Sequence, residues 1–285
     1  MTTLLSVPNF SEGRDRQRID AITRAFDALL LDVHSDPDHH RAVVTLAGAS
    51  GELAAAVLTG AREIVGQIEL DRHQGAHPRI GVLDVAPVVY LDDADRGAAC
   101  AEALVLGDLL GTELELPVFL YGELAGGRTR AELRRGGPAA LEQRLHAGEL
   151  RPDFGPPRLH PTAGAVLVAA RPPLLAFNVE LAPPATLADA RDIAAAIREH
   201  AGGGLPSVRA IGIWLHSRGV AQVSMNIEDH RRTRLADVVA AIAARAPIAE
   251  AELVGLAPRA AFEGFPDDLH VRGRATIEDA LTDSD

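Results

Sequence analysis

The chain has 285 residues, 47% of them hydrophobic and 24% charged, with a formal net charge of −12, which is enough for one large core or two smaller ones. Every basic residue is an arginine, which excludes a lysine Schiff base, a pyridoxal-phosphate enzyme and a GxxxxGK phosphate loop, and the acidic balance argues against nucleic acid as a partner. One cysteine rules out an internal disulfide, no apolar run nears the roughly 18 residues of a membrane helix, and MTTLLSVPNF lacks the basic start and apolar core of a signal peptide, so a cytoplasmic protein with no membrane partner is expected.

Leu4–Pro8 reads as a short first strand and Asn9–Gly13 as a loop, with Ser11 as N-cap of a helix over Arg14–Leu30 in which Ile19, Ile22, Phe26 and Leu29 recur at helical spacing. Strands over Leu29–Val33 and Ala42–Leu46 flank HSDPDHHR, whose three histidines and two aspartates invite a metal. Proline and chain direction scatter those side chains, and no second cluster completes a ligand set, so no metal is expected. Ser50–Gln67 is a second amphipathic helix with Leu53, Val57, Ala61, Ile64 and Val65 on one face.

The stretch Asp71–Tyr90, DRHQGAHPRIGVLDVAPVVY, packs two histidines, an arginine and an acid into a run that becomes an apolar strand over Gly81–Leu91. Gly75 and Pro78 remove the helix on which a metal-binding HxxxH pair, His73 and His77, would depend. His77 is therefore presented from a turn, and its imidazole suits proton exchange near neutrality. Arg79 would hold an anionic group beside it. Asp84 would orient the ring or pair with Arg79, and His73 takes a positional role.

Asp95–Leu110 is a third helix, carrying Cys100 as a buried structural thiol, and Pro117–Tyr121 is a buried strand. Arg128–Leu145 is weakly helical, interrupted by Gly136, Gly137 and Pro138. In Arg151–Arg171 four prolines and two glycines precede an apolar strand, describing a rigid loop whose backbone can approach a flat ligand closely. A strand over Leu174–Glu180 leads to a hinge at Pro183-Pro184, a helix over Thr186–Ala201 stopped by Gly202–Gly204, and a hairpin of Val208–Leu215 with Val220–Ile227 turned at Ser217-Arg218-Gly219. A helix over Thr233–Arg245, with Leu235, Val238, Val239 and Ile242 inward, and a strand over Glu252–Leu256 follow, before a frayed acidic end, TDSD. The repeated order predicts an α+β chain of two ferredoxin-like α/β subdomains, each a mixed β-sheet layered with helices, at 1–173 and 174–285.

HPRIGVLDVAP resembles the HPRxGALDVxPF signature of the glutamate formimidoyltransferases, the family of the formiminotransferase domain. VPNFSEGRD, LLDVHSDPDHHR, PVFLYGE, RPDFGP, AFNVEL, RAIGIWL, AQVSMNIED and ELVGLAP resemble further family blocks in the same order. The resemblance implies transfer of a formimidoyl group from N-formimidoyl-L-glutamate to tetrahydrofolate, giving 5-formimidoyltetrahydrofolate and L-glutamate, in histidine degradation. It implies a homodimer with a substrate tunnel between the subdomains, tetrahydrofolate as cosubstrate and no metal. His77 falls on the catalytic acid/base; Arg41 and Arg79 become carboxylate clamps; Asp84, Asn9 and Glu12 become substrate contacts; Gly155, Pro156, Pro161 and Gly164 fall on the folate-binding wall. His40, Ala76 and Ala163 depart from residues common in the family, which there are an amide, an acid and, in the animal enzymes, a tryptophan. No cyclodeaminase-like extension follows Asp285, so that second activity is expected to be absent.

Two other readings compete: the same fold and one-carbon chemistry on a different formimidoyl or formyl donor, motivated by those departures, and a non-catalytic folate- or amino-acid-binding module. A metal-dependent hydrolase built on the histidine cluster is a distant fourth.

Overall fold

The computed structural model describes residues 2–75, 78–199 and 203–283. Two units divide the chain, residues 1–172 and 173–285.

In the first unit β1 (Thr3–Ser6) and β2 (Asn9–Phe10) both lie between β4 (Arg41–Ala49) and β5 (Leu83–Val89), as two halves of one strand interrupted at Val7-Pro8. Proline has no N–H to give the ladder, so the break falls there. β3 (Leu29–Asp36) pairs with the far side of β4, and β7 (Val166–Arg171) and β6 (Val118–Leu120) continue the sheet beyond β5 in parallel, whereas the other pairings are antiparallel. All seven residues of β5 are buried, as suits a strand covered on both faces.

One face carries α1 (Arg16–Ala25), α2 (Leu53–Gln67) and α3 (Arg96–Glu113), around a core that includes Leu4, Phe10, Leu46, Val88, Leu106 and Val166. Side chains alternate along a strand, so Val85, Leu167 and Ala169 face the opposite way. There they meet Leu133 of α4 (Arg130–Arg134) and Leu141 and Leu145 of α5 (Gly137–His146).

Several boundaries differ from the expectations above. Asp15, not Ser11, caps α1, accepting from Arg18 N, while Ser11 Oγ donates to Gly81 O at 3.1 Å. The helix stops at Ala25, because Phe26 is extended and folds its ring into the core. Asn9 and Phe10 are sheet rather than loop. Residues 128–145 form two helices, separated by Arg135 and Gly136, with Gly136 and Gly137 in the left-handed backbone region. Cys100 is half-buried, 3.6 Å from Glu123 Oε1, and burial, with that carboxylate, pushes its thiol up.

The second unit runs β8 (Leu175–Leu181), α6 (Leu187–Ile197), β9 (Val208–Leu215), β10 (Val220–Ile227), α7 (Leu235–Ala243), β11 (Ile248–Val254), β12 (Val271–Arg272) and α8 (Ile277–Thr282). Its sheet has the order β12-β11-β8-β10-β9, parallel only between β11 and β12. Leu175, Phe177, Val179 and Leu181 turn inward to Val223, Met225, Leu235, Val238 and Ile242. The alternate residues Asn178, Glu180, Gln222 and Glu252 are buried on the other face, where Glu180 is paired with Arg218 and Arg272. Ala201 and Gly202, at the expected end of α6, lie outside the described residues. Both sheets are thus mixed and layered with helices, and no helix among the described residues is long and apolar enough to cross a membrane.

Candidate active site

Three neighbouring strands put three polar side chains on one side of the first sheet. Phe10, Ala42 and Leu83 point into the first core, so Asn9, Arg41 and Asp84, each one position away, point from the opposite face. Arg41 Nε and Nη2 both donate to Asn9 Oδ1, at 2.9 and 2.6 Å, and Nη1 stands 3.6 Å from Asp84 Oδ2. Burial pushes Arg41 down to about 10, opposed by the Asp84 carboxylate, so the guanidinium stays charged at neutral pH. Asp84 Oδ1 accepts from Ile80 N at 2.9 Å, and Oδ2 accepts from Arg134 Nη2. Burying this carboxylate costs little only because cations and an N–H surround it.

Arg79 closes the loop before it, with Nη2 donating to His73 O at 2.6 Å and Nη1 to Gly75 O at 3.4 Å. Burial lowers its basicity and Asp84 opposes that. His77 and Ala76, which follow Gly75, lie outside the described residues.

A second cluster adjoins the first. Glu12 is buried and its Oε1 accepts from the backbone N–H groups of Gly13, Arg14 and Asp15, while Oε2 accepts from Arg18 Nη1 at 3.0 Å. Burial raises its carboxyl, yet the Arg14 and Asp15 N–H groups, His40 and Arg18 together hold it below the ordinary carboxylate value. His40 places Nε2 at 3.2 Å from Glu12 Oε1 and Nδ1 at 3.0 Å from Gln74 O. Its ring stacks on His73 at 4.2 Å between centroids and 14° between planes. A water-sized void of about 10 Å³ lies among Phe10, His40, Arg41, His73, Arg79 and Asp84. A larger cavity of about 150 Å³ is lined by Ser11, Glu12, Arg18, His40, Arg72 and His73, among others.

Residues 3–171 match the model of the formiminotransferase domain, N-terminal subdomain, and residues 176–264 that of the formiminotransferase domain. The chain belongs to the formiminotransferase-domain family. It is 39% identical to the formimidoyltransferase-cyclodeaminase of Sus scrofa over 88% of this chain and 49% of that one. It is 36% identical to the glutamate formimidoyltransferase of Thermoplasma acidophilum, covering 92% of this chain and 90% of that one, and 34% identical to that of Streptococcus pyogenes, covering 88% of each. The chain thus spans about half the length of the formimidoyltransferase-cyclodeaminases it matches.

Within this formiminotransferase-family fold, the residues expected to contact substrate fall into two linked groups: Asn9, Arg41, Arg79 and Asp84 in one, Glu12 with His40 in the other. Arg134 and Arg18 complete these groups and went unforeseen. Arg134 sits on a short helix whose own sequence carries no hint of Asp84. His40 has a left-handed backbone, φ 50°, a conformation that asparagine and histidine tolerate better than most residues, so an amide or an imidazole fits there.

The two glycines of the expected folate-binding set pack on different segments. Gly164 (φ 75°) packs against segment 80–81: a Cβ on it would lie 2.3 Å from Ile80 O, and Val82 N donates to Ala163 O at 2.9 Å. Gly155 (φ 78°) packs instead on α3 and the strand entry, where a Cβ would lie 2.1 Å from Leu116 O and 3.1 Å from Gly111 Cα. Pro156 is half-buried and Pro161 exposed. Ala163 is buried in the first core, where a bulky aromatic would have to displace neighbours. Among the described residues no group of three or more His, Cys, Asp or Glu is placed to hold a metal ion.

Proposed function

We propose that this chain transfers the formimidoyl group of N-formimidoyl-L-glutamate to tetrahydrofolate, releasing L-glutamate and 5-formimidoyltetrahydrofolate. The observation that carries the reading is the match to the Thermoplasma glutamate formimidoyltransferase, which runs over nine-tenths of both chains. The arginine-rich group around Asp84 supports it: in a chain of net charge −12, cations gathered at one strand end are what two polyanionic substrates need.

In this reading N5 of tetrahydrofolate attacks the formimidoyl carbon and forms a C–N bond. A proton leaves N5 and reaches the glutamate nitrogen, whose bond to that carbon then breaks. His77 moves that proton, as base and then as acid. Arg79 and Arg41 orient carboxylates, and Asp84 holds Arg41 and the Ile80 N–H in place. Asn9 and Glu12 fix the strand and loop that frame the donor. Gly155, Pro156, Pro161 and Gly164 form the folate side. Holding both substrates in attack geometry supplies much of the rate.

The same reading takes each subdomain, 1–173 and 174–285, as ferredoxin-like. In the second unit the order β11-β8-β10-β9, with helices after β8 and β10, supports that assignment. The first unit runs strand, α1, β3, β4, α2, β5 in the order β3-β4-(β1, β2)-β5, to which β7 and β6 are added. A cytoplasmic homodimer completes the proposal, and light scattering on the purified chain checks its oligomeric part. The activity itself is tested by incubating the chain with both substrates and following the absorbance of 5-formimidoyltetrahydrofolate. Tetrahydrofolate binding without product would overturn the transfer reading.

A further inference from the structure

We propose that His73 reads the one-carbon group of the donor, accepting a hydrogen bond from a formimidoyl N–H at Nδ1 and disfavouring a formyl oxygen at the same place. The proposal rests on the formimidoyl-transfer reading above and goes one step further, to what distinguishes that donor from its oxygen analogue.

The argument begins with the tautomer. His73 Nε2 lies 2.6 Å from His40 O, and a carbonyl oxygen can only accept, so Nε2 carries the hydrogen. A neutral ring protonated there leaves Nδ1 as a bare lone pair. Burial holds the ring neutral, pushing it down to about 4. Nδ1 is itself buried and has no hydrogen-bond partner among the described residues. The side chain is 7% exposed, so its acceptor must be met from within the site.

The neighbours do not meet it. His40, stacked on the ring, directs both of its nitrogens at oxygens that only accept, Gln74 O and Glu12 Oε1. The stack and the Arg79 bond to the His73 carbonyl hold the ring in place. His73 lines both the void shared with Arg41, Arg79 and Asp84 and the cavity of about 150 Å³ shared with Ser11, Glu12, Arg18 and Arg72. A donor held by these arginines therefore has its one-carbon group within the neighbourhood of a fixed acceptor that no described residue pairs.

Formimidoyl and formyl groups differ at one atom: the first ends in a nitrogen bearing hydrogen, the second in an oxygen bearing only lone pairs. An acceptor facing the first gains a hydrogen bond, and facing the second it is left buried and unpaired, a difference of about ten- to hundredfold in binding.

The test is calorimetric binding of N-formimidoyl-L-glutamate and N-formyl-L-glutamate to the whole chain, wild type and His73→Phe, which keeps a ring for the stack and removes Nδ1. The wild type is expected to prefer the formimidoyl compound at least tenfold, and His73→Phe to bring the two within about threefold by weakening the formimidoyl compound alone, with tetrahydrofolate affinity unchanged. A ratio that survives His73→Phe overturns the proposal. So does a wild type that binds the two compounds equally or binds neither, and that result stands even if the variant does not fold. A wild type with the expected ratio that transfers nothing would sink the transfer reading and leave this assignment standing.

Discussion

Arg134 reaches back fifty positions to Asp84: its Nη2 donates to Oδ2, while the Ile80 N–H holds Oδ1 at 2.9 Å. A carboxylate 2% exposed is thereby kept between two arginines and a backbone donor at the root of β5. Removing one partner of a buried ion pair leaves the other uncompensated, at a cost of about 3–5 kcal/mol where burial is complete. Arg134→Leu is therefore expected to destabilise the chain by about 2–4 kcal/mol, read as a fall in the urea midpoint. A midpoint within experimental error of wild type would mean that Arg41 and Arg79 suffice.

Asn9→Ala removes the oxygen that fixes Arg41 through two N–H groups. Loss of one partner of charge-assisted hydrogen bonds is worth about 1.5–3 kcal/mol. If Arg41 orients the donor, the variant raises the KM for N-formimidoyl-L-glutamate about tenfold and leaves that for tetrahydrofolate unchanged. A defect confined to tetrahydrofolate would place Arg41 on the wrong substrate.

Acid stability follows from His73 and Glu12. The folded His73 sits at about 4, below the ordinary histidine value near 6.5, so the unfolded chain binds more protons between those values. Stability is then lost as pH falls from about 6.5 to about 4, and His73 contributes no slope above 6.5. The loss is on the order of 2–3 kcal/mol. Glu12, held below its ordinary value, adds a further loss as pH falls through the carboxylate range. His73→Phe is expected to flatten the dependence between pH 6.5 and 4.5 while leaving the lower part. Equal slopes for variant and wild type in that window would contradict the assignment.

Gly155 and Gly164 separate architecture from ligand contact. A Cβ at either meets a backbone oxygen within 2.3 Å, and both have a left-handed backbone. Alanine at either position is expected to lower the melting temperature by several degrees. Only Gly164→Ala, which presses on Ile80 beside Asp84, is expected to change kcat as well. An unaltered melting temperature in Gly155→Ala with lost tetrahydrofolate binding would mean that this glycine serves the ligand alone and not the packing.

The parts of this architecture legible in the sequence were those written in local pattern. Leu53, Val57, Ala61 and Ile64, and Leu235, Val238, Val239 and Ile242, face their cores as helical spacing predicts. The hairpin over β9 and β10 formed where Gly219 takes a positive φ. Asp84 and Arg41 stood out as candidate site residues because family motifs carry them, and the fold brings them within 3.6 Å of each other. Arg134 was not, since its partner is fixed by how α4 packs on β5 and no local spacing encodes that. The cap of α1 was misplaced for a similar reason: Ser11 is drawn to Gly81 O, seventy positions on, and Asp15 takes the helix. Within the proline-rich loop the two glycines pack on different neighbours, Gly155 on the α3 side and Gly164 on the segment before β5, a difference that composition alone does not encode.

The most direct test of the account is steady-state formimidoyl transfer by wild type and His77→Ala, with tetrahydrofolate binding measured on both. The account predicts that the wild type turns over and that the variant binds tetrahydrofolate normally but loses about 10²- to 10⁴-fold in kcat, as expected for a positioned acid/base. A variant that transfers at the wild-type rate would contradict it and move the proton transfer to another group of the site.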